Sequence, residues 1–446
     1  MNTRTHLKLT HTLLFSLCLP FFFLACKKEE TKTETVNDEV SIEGSISNNP
    51  LRPNILLIIA DDLGKDATPG FLTEETGLIK ANMPVLDSLR TNGMRFTNLW
   101  STPVCSPTRA TLLTGKYGFH TGVFNAGDNI STAETTVQQL LKNNTSGYAT
   151  SIIGKWHLTD NYSDPNMMGI DYFAGIEGGG VSDYYDWELT VNGGVYRDMT
   201  SYITTELTDL AIDWVNAQSK PWFLWMGYNA PHTPFHEPPA ELHTRGDVST
   251  NQEMFLAAAE ALDTEIGRLI RSIPEEELAN TIILYLGDNG TPGAVDQDPF
   301  ASKGSKGTIW QGGVNTPMVV SGVGVTRVGE TDSSLINSTD FFATIADLGG
   351  TGIDTMHHSV SFKELLSEEG TSRRSYVYTE VPGTSIGDGY TIRNDTLKYI
   401  MMGNDTKRVY DLIDDPYETN SILRSLTDSQ KEDTTALGII MREIRQ

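Results

Sequence analysis

Four runs of strand length constrain the fold of this chain more than any other feature. Residues 54–60 are continuously apolar, and comparable runs follow at residues 148–153, 222–226 and 281–286. A strand without apolar and polar alternation is typical of a sheet buried on both faces, as in a parallel sheet covered by helices. The runs therefore predict a central, mostly parallel sheet.

The segments between and after these runs define the rest of the predicted architecture. Helical patterns at residues 84–89, 136–142, 205–217 and 253–273 predict an α/β fold, a mostly parallel mixed sheet flanked by helices. After residue 375, short alternating runs separated by turn residues predict a small antiparallel sheet closed by a helix near residues 437–444. We expect a large domain over residues 51–365 and a C-terminal α+β subdomain over residues 366–446.

The first 26 residues have the pattern of a targeting segment. Arg4 and Lys8 precede an apolar stretch at residues 13–24, which is too short to span a bilayer comfortably. The ending Phe-Leu-Ala-Cys resembles a bacterial lipoprotein signal, which implies cleavage after residue 25 and lipidation of Cys26. A plain secretory signal is the alternative. Residues 26–50 are polar and predict a flexible tether, so we expect a lipid-anchored protein of the bacterial cell envelope, periplasmic or on the outer surface.

Charge and cysteine content narrow the function further. The formal net charge of −25 argues against nucleic acid as a partner and against any membrane contact beyond a lipid anchor. Cys18 would leave with the signal and Cys26 would carry lipid, so Cys105 would be the only remaining thiol. An isolated cysteine in an oxidising compartment is a candidate reactive or modified residue.

Cys105 begins the stretch Cys-Ser-Pro-Thr-Arg-Ala-Thr-Leu-Leu-Thr-Gly. Ser106 is a good N-cap and Pro107 a good first helical residue, so we expect a helix to begin here. The backbone N–H groups and the aligned peptide dipoles at a helix N-terminus favour anions. The stretch therefore predicts a site for a sulfate, a phosphate or an anionic nucleophile.

Polar groups follow each of the four strands, where the carboxyl ends of parallel strands share one edge of the sheet. Asp61 and Asp62 follow the first strand, and Asp288 and Asn289 follow the fourth. These side chains offer only hard oxygen ligands, which suit calcium or magnesium better than zinc or copper. Each pair taken alone is also explained by a turn or a helix cap.

The cationic candidates occupy the other two strand ends and a later loop. Lys155 and His157 are two residues apart, so on an extended segment they would point to the same side. His232 follows the third strand, and Lys306 lies in Gly-Ser-Lys-Gly-Thr-Ile-Trp-Gln-Gly-Gly. Taken singly, each lysine is also explained by a solvated surface charge and each histidine by a structural hydrogen bond.

Together these motifs resemble the formylglycine-dependent sulfatases, the type I sulfatases of the alkaline phosphatase superfamily, over residues 53 to about 423. The pattern Cys-x-Pro-x-Arg implies that a formylglycine-generating enzyme oxidises Cys105 to the aldehyde 3-oxoalanine, which works as its hydrate. Thr108 stands where the family most often has Ser, and Gln311 where it more often has Glu.

The resemblance also implies a function for each matching residue. A divalent cation, usually calcium, with magnesium as the other candidate, would be bound by Asp61, Asp62, Asp288, Asn289 and the modified Cys105. Arg109 would stabilise the nucleophile, Asp288 would take its proton, and Lys155 and Lys306 would bind the sulfate. His232 would protonate the leaving alcohol, and His157 would expel sulfate by deprotonating the second hydroxyl. The implied activity is hydrolysis of sulfate esters, and we expect a sulfated carbohydrate as substrate.

Two alternatives and one open question remain at this point. A phosphonate monoester or phosphodiester hydrolase of the same superfamily would share most of these residues. A non-catalytic glycan-binding lipoprotein would not need them. Tyr184, Tyr185 and Trp187 either stack on sugar rings or form a local core.

Overall fold

The computed structural model of the protein describes residues 52–72, 77–143, 147–370, 372–384 and 387–446. The predicted signal, the tether and Cys26 lie outside these residues. Residues Leu51–Gln446 form one compact unit, and the boundary expected between residues 365 and 366 stays a prediction. Within the described ranges, no helix has the length and apolar character needed to cross a bilayer.

The strands of this unit belong to three sheets. Their bounds are β1 Asn54–Ala60, β2 Gly93–Trp100, β3 Ala149–Lys155, β4 Tyr172–Ile176, β5 Trp187–Val191, β6 Gly194–Met199, β7 Trp222–Gly227, β8 Thr281–Gly287, β9 Asn315–Gly322, β10 Thr331–Asp332, β11 Ile336–Asn337, β12 Thr355–Met356, β13 Ser359–Val360, β14 Val377–Thr384, β15 Gly387–Arg393, β16 Leu397–Met402 and β17 Lys407–Asp411.

The helices separate the strands along the chain. Their bounds are α1 Pro84–Thr91, α2 Cys105–Thr114, α3 Gly118–Thr121, α4 Val137–Asn143, α5 Asp164–Met167, α6 Ile203–Asn216, α7 Asn251–Ser272, α8 Glu275–Leu278, α9 Gln311–Val314, α10 Asp340–Leu348 and α11 Asp428–Ile444, with short 3-10 helices at Ala240–Leu242 and Lys363–Leu366.

The large sheet has the strand order β10-β2-β9-β8-β1-β7-β3-β4-β5-β6, with β11 also paired to β2. Strands β8, β1, β7, β3 and β4 run parallel at its centre. Antiparallel pairs lie toward its two ends, where β9 pairs with β8 and β2, and β5 pairs with β4 and β6. The predicted mixed, mostly parallel sheet is confirmed.

The C-terminal strands form the predicted antiparallel sheet, in the order β14-β15-β16-β17. Helix α11 packs its Leu437, Met441 and Ile444 against this sheet. The helix is longer than the predicted segment because Thr427 forms a capping box with Gln430 and starts it two turns earlier. The fold class predicted from the sequence is therefore confirmed in both of its parts.

The core lies on both faces of the large sheet. Along β1, Leu56 and Ile58 belong to one apolar cluster, whereas Ile55, Leu57 and Ile59 belong to the cluster on the opposite face. Every residue of β1 is buried. The continuous apolar pattern thus reports burial on two sides, and each such side chain contributes about 1.5–3 kcal/mol to folding.

The strands that the sequence did not predict are less regular in pattern. β2 mixes Arg95, Thr97 and Asn98 with apolar residues, and its pairing with β9 shifts register between Phe96 and Leu99. β6 has no fully buried residue. Hydrophobic periodicity is a weak guide to strands of these two kinds.

Three glycines allow the carboxyl ends of β4, β3 and β7 to approach closely. A Cβ atom on Gly154 would lie 2.0 Å from the Gly227 carbonyl oxygen, and one on Gly175 would lie 1.9 Å from the Gly154 carbonyl oxygen. Gly154 also has φ of +108°, which L-residues rarely adopt. Side chains are excluded from the sheet edge at these three positions.

We expect Gly154→Ala to lower the free energy of unfolding by at least about 1–3 kcal/mol, because backbone strain is added to the steric conflict with Gly227. Urea unfolding followed by circular dichroism measures the change. Gly246→Ala is the matched control, since its Cβ would meet nothing within 4 Å and its φ is ordinary. Equal losses in the two variants would contradict the close-approach explanation.

Candidate active site

Helix α2 begins at Cys105 itself, and its N-cap is Val104 in an extended conformation. The prediction of Ser106 as the N-cap is wrong. The Ser106 hydroxyl instead accepts a hydrogen bond from the Gly127 N–H at 3.0 Å, and the Thr108 hydroxyl donates to the Asp288 carbonyl at 2.8 Å. Cys105 therefore lies in the first turn of the helix, at its N-terminus.

The Cys105 thiol faces His157, with 3.2 Å between Sγ and Nδ1. Burial raises the pKa of this thiol. Burial and the nearby Lys155 ammonium lower the pKa of His157 to about 3. His157 is therefore a neutral imidazole at ordinary pH, able to accept a proton from a group at position 105.

The backbone that carries Lys155 and His157 differs in conformation from the extended segment that was expected. His157 has φ of +57°, so the segment is not extended at this residue. Its backbone N–H is bonded to the Glu177 carbonyl at 2.8 Å. The turn after β3 thus directs His157 toward Cys105 while Lys155 contacts Asp61.

Asp61 lies at the end of β1 and is fully buried. The Lys155 ammonium donates a hydrogen bond to its Oδ2, and the Arg109 guanidinium lies 3.5 Å from the same oxygen. Burial alone would raise the pKa of Asp61, but the positive charges of Lys155, His232 and Arg109 hold it well below its usual range. Asp61 is therefore a permanent carboxylate.

Arg109 joins three strand ends from helix α2. Its Nη2 lies 3.1 Å from Asp288 Oδ2, and its Nη1 donates to the Lys155 carbonyl at 2.8 Å. Burial and the neighbouring Asp61 raise the pKa of Asp288 to about 7, against the opposing charges of Arg109 and Lys155. Asp288 can therefore exchange a proton near neutral pH.

Asp62 forms the second half of the network. Its N–H donates to Asp288 Oδ1 at 3.0 Å, and its carboxylate accepts from Asn289 Nδ2 at 2.7 Å and from Lys306 Nζ at 2.6 Å. Burial opposes the charge on Lys306, but Asp62 and Asp61 raise its pKa above the ordinary value. Lys306 therefore stays charged.

The site opens to solvent on one side only. The side chains of Asp61, Arg109, Lys155 and Asp288 are 0% exposed, whereas those of His232 and Lys306 are 16% and 23% exposed. His232 Nε2 lies 3.6 Å from Asp62 Oδ2, and its Nδ1 lies 2.8 Å from the Thr233 carbonyl. A ligand must approach past His232 and Lys306.

The oxygen atoms available as ligands at this site fit a hard divalent cation. Asp61 Oδ1 and Asn289 Oδ1 are buried and have no hydrogen-bond partner among the described residues. Asp61, Asp62 and His232 can also bring one ligand atom each within 4.8 Å of one another. Buried acceptor oxygens without donors suit calcium or magnesium, and His232 was not among the ligands expected from the sequence.

The structure brings all the predicted site residues to one edge of the sheet. They are Asp61, Asp62, Cys105, Arg109, Lys155, His157, His232, Asp288, Asn289 and Lys306. Their individual functions stay predictions. The convergence follows from the parallel order of β8, β1, β7 and β3.

Two supporting features were not found from the sequence. The Tyr184 hydroxyl lies 2.8 Å from the Asn229 carbonyl and 2.7 Å from the His232 carbonyl, so this tyrosine belongs to the core and fixes the His232 turn. A Cβ on Gly179 would lie 2.4 Å from the His157 ring. The run of three glycines at residues 178–180 was the available signal for this contact.

The fold and the site define an α/β protein with a buried cysteine at a helix N-terminus, beside a cluster of buried charged side chains. The family model described as Sulfatase matches residues 53–351, and a second model, N-sulphoglucosamine sulphohydrolase, C-terminal, matches residues 305–439. The chain belongs to the sulfatase family. The resemblance based on the Cys105 motif is confirmed.

Individual relatives agree with this assignment. The chain is 30% identical to the uncharacterized sulfatase YdeN of Escherichia coli K12, over 66% of this chain and 62% of that protein. It is 25% identical to an ulvan-active sulfatase of Formosa agariphila, over 94% of this chain and 84% of the relative. The solved structure of Ps i-CgsB in complex with k-i-k-neocarrahexaose has a TM-score of 0.76 at 24% identity, covering 89% of this chain and 94% of that chain.

We expect Arg109→Met to lower the free energy of unfolding by about 3–5 kcal/mol, because it leaves the buried carboxylates of Asp61 and Asp288 without their shared counter-charge. Arg373→Met removes an exposed pair with Asp354 and should cost less than about 1 kcal/mol. Urea unfolding of both variants checks the difference. A small loss for Arg109→Met would contradict the network as described.

Proposed function

We propose that this sulfatase-family protein hydrolyses sulfate esters through a formylglycine made from Cys105 and a divalent cation. The observation that carries the proposal is the 3.2 Å contact between Cys105 Sγ and His157 Nδ1, beside a buried set of carboxylate and cationic side chains. A thiol at a helix N-terminus, next to a neutral base and a hard-oxygen site, is suited to conversion into a nucleophile.

The charge balance of the site supports an anionic substrate. Three carboxylates, those of Asp61, Asp62 and Asp288, face the cationic side chains of Arg109, Lys155 and Lys306. A bound dication adds two positive charges to this set. The resulting excess of positive charge suits a sulfate monoester together with an ionised nucleophile, since opposite charges attract strongly in a dry site.

When present, the hydrated aldehyde supplies a hydroxyl nucleophile and the cation lowers the pKa of a hydroxyl that it binds. Asp288, with a pKa near 7, accepts the proton of the group at position 105. Arg109 holds Asp288 in place through the 3.1 Å contact of Nη2 with Oδ2. Lys155 and Lys306, whose ammonium groups contact Asp61 and Asp62, bear the charge of the sulfate oxygens.

The two histidines act on opposite sides of the reaction. His232 lies on the open side, where the alcohol leaves; its Nδ1–H is donated to the Thr233 carbonyl, so the imidazolium form gives its proton to the alcohol from Nε2. His157 is half-buried beside Cys105 and accepts a proton from the residue at position 105 as sulfate departs. General acid and base are thus separated by position.

A sulfated carbohydrate is the proposed substrate class. The support is the 25% identity, over 94% of this chain, to a relative named as an ulvan-active sulfatase. The open side of the site at His232 and Lys306 admits a substrate whose sulfate enters first.

The proposed mechanism requires a maturation enzyme, and the sequence supports a location for the mature protein. The unmodified thiol needs a formylglycine-generating enzyme as partner, because hydrolysis with turnover requires the aldehyde. The sequence pattern that ends at Cys26 supports anchoring of the mature protein to the bacterial cell envelope by lipid, with secretion as the alternative.

We expect protein produced with a formylglycine-generating enzyme to lose about 18 Da at Cys105, the mass change from thiol to aldehyde. Peptide mass spectrometry measures it. Cys105→Ala should show no turnover, and Cys105→Ser should stop after transfer of one sulfate, because a serine lacks the second hydroxyl that releases it.

Matched substrates and the serine variant decide the outcome. A sulfate ester should have a higher kcat/KM than the phosphate ester of the same alcohol. Preference for the phosphate ester would replace the proposal with phosphoester hydrolysis, and sustained turnover by Cys105→Ser would refute the formylglycine step.

Removal of divalent cations should reduce kcat/KM at least about 100-fold, since the cation acts on charge developing in the reaction. Calcium and magnesium are added back separately, and metal analysis should give one ion per chain. Asn289→Ala should bind the ion at least ten-fold more weakly because it removes an oxygen donor, whereas Asn404→Ala in an exposed turn should not change binding. Full activity after chelation would exclude the metal from the mechanism.

A further inference from the structure

A cavity of about 310 Å³ lies between the large sheet and the C-terminal sheet. Asn98 of β2 and Asn315 of β9 form one wall, and Arg393 of β15 forms another. Gln311 also lines it. We call it the inter-sheet cavity.

Two buried cations near this cavity lack the ion pairs that other buried cations of the described chain form. The described chain buries six lysines and arginines: Lys65, Arg109, Lys155, Arg327, Arg393 and Lys398. Four of the six form ion pairs with carboxylates. Lys65 and Arg393 form none in the described part of the chain. Arg393 lines the inter-sheet cavity, and Lys65 contacts Asn315 of its wall. Buried charges of this kind require a counter-charge.

Lys65 is 5% exposed and is held by neutral oxygens only. Its Nζ donates to the Thr97 carbonyl and to Asn315 Oδ1, both at 2.6 Å. Burial and the positive charges of Arg393 and Arg95 lower the pKa of Lys65 to about 7. Lys65 therefore sits directly behind the cavity wall formed by Asn315, among cations.

Arg393 is 4% exposed, and its hydrogen bonds also go to neutral oxygens. Its Nη1 donates to Asn98 Oδ1 at 3.2 Å, and its Nε and Nη2 donate to the carbonyls of Asn394 and Asp395 at 2.8 Å. Asp395 is exposed. Glu418, the other acid that acts on Arg393, is already paired with Lys398 at 2.6 Å.

Amide groups complete the lining. Gln311 is 3% exposed, and its Oε1 has no hydrogen-bond partner among the described residues. Asn315 directs its oxygen to Lys65, which leaves its Nδ2 as a free donor. A guanidinium carries five N–H donors, and two of those on Arg393 remain after the three bonds above. The cavity thus combines a buried guanidinium that has no ion pair and two unused N–H donors with one unpartnered acceptor, Gln311 Oε1.

We propose that the inter-sheet cavity is a binding site for an oxyanion, a sulfate, phosphate or carboxylate group that is free or carried on a sugar. The anion supplies the negative charge that Lys65 and Arg393 lack and accepts hydrogen bonds from Arg393 and Asn315. Bidentate contact with a guanidinium is the geometry that such groups favour. The site is separate from the Cys105 network and does not depend on the proposed reaction.

Inorganic sulfate is the probe, with sodium chloride at equal ionic strength as the reference. Calorimetric titration of the wild-type chain should give two sulfates, one at the site near Cys105 and one in the inter-sheet cavity. Lys65→Met should weaken the second Kd at least ten-fold and leave the inhibition constant of sulfate against turnover unchanged. Without sulfate, this variant should be at least as stable as the wild type, since it removes an unpaired buried charge.

A second variant and a crystallographic experiment that locates the bound anion complete the test. Gln311→Glu places a carboxylate in the cavity and should abolish the second sulfate. Lys398→Met is the matched control: it removes a buried cation that already has a partner, so it should destabilise the protein and keep the second site. Crystals soaked in selenate should show anomalous density beside Arg393.

The outcomes separate the sources of the anion. Competition by a sulfated monosaccharide but not by its unsulfated form would assign the site to a sugar-borne group, and competition by sulfate alone would assign it to the free ion. A single sulfate per wild-type chain, with no selenate beside Arg393 and no second site for the sulfated sugar, would overturn the proposal.

Discussion

The buried contact between Arg109 and the carboxylates of Asp61 and Asp288 is the interaction on which the rest of the structure depends. Removing three charges from water is expensive, and only close pairing with further hydrogen bonds offsets that cost. The surrounding backbone meets this need: the Asp62 N–H and the Lys155 carbonyl both bond to the network. The sheet edge is therefore both the most costly part of the fold and the part that binds charge.

The large sheet offsets the energetic cost of burying charged groups at this edge. Its central strands are apolar on both faces, so burial of many side chains stabilises an edge that carries only polar groups. Glycines at the carboxyl ends of β3, β4 and β7 bring the backbones close together there. In addition, a Cβ on Gly227 would lie only 3.1 Å from Arg109 Nη1. Packing thus determines where the guanidinium lies.

Much of this arrangement is readable from local sequence, and the remainder is not. The apolar pattern of β1 and the acids that follow it lie within nine consecutive residues, so this buried strand and its two carboxylates were predictable. The left-handed backbone of His157 and the bond of Tyr184 to the His232 carbonyl depend on contacts between distant segments. The wrong N-cap has the same origin, because Ser106 is bonded by Gly127, which lies 21 residues later.

One rule, that a buried charge needs a counter-charge, explains the active site and the inter-sheet cavity in opposite ways. At the sheet edge the cations are matched by carboxylates of the chain, and the buried atoms without a hydrogen-bond partner among the described residues include two acceptor oxygens, Asp61 Oδ1 and Asn289 Oδ1, beside Arg109 Nε. A site of that kind attracts a metal ion. At the cavity the uncompensated groups are the cations Lys65 and Arg393. The sign of the missing charge therefore determines the class of ligand: a cation in the first case and an anion in the second.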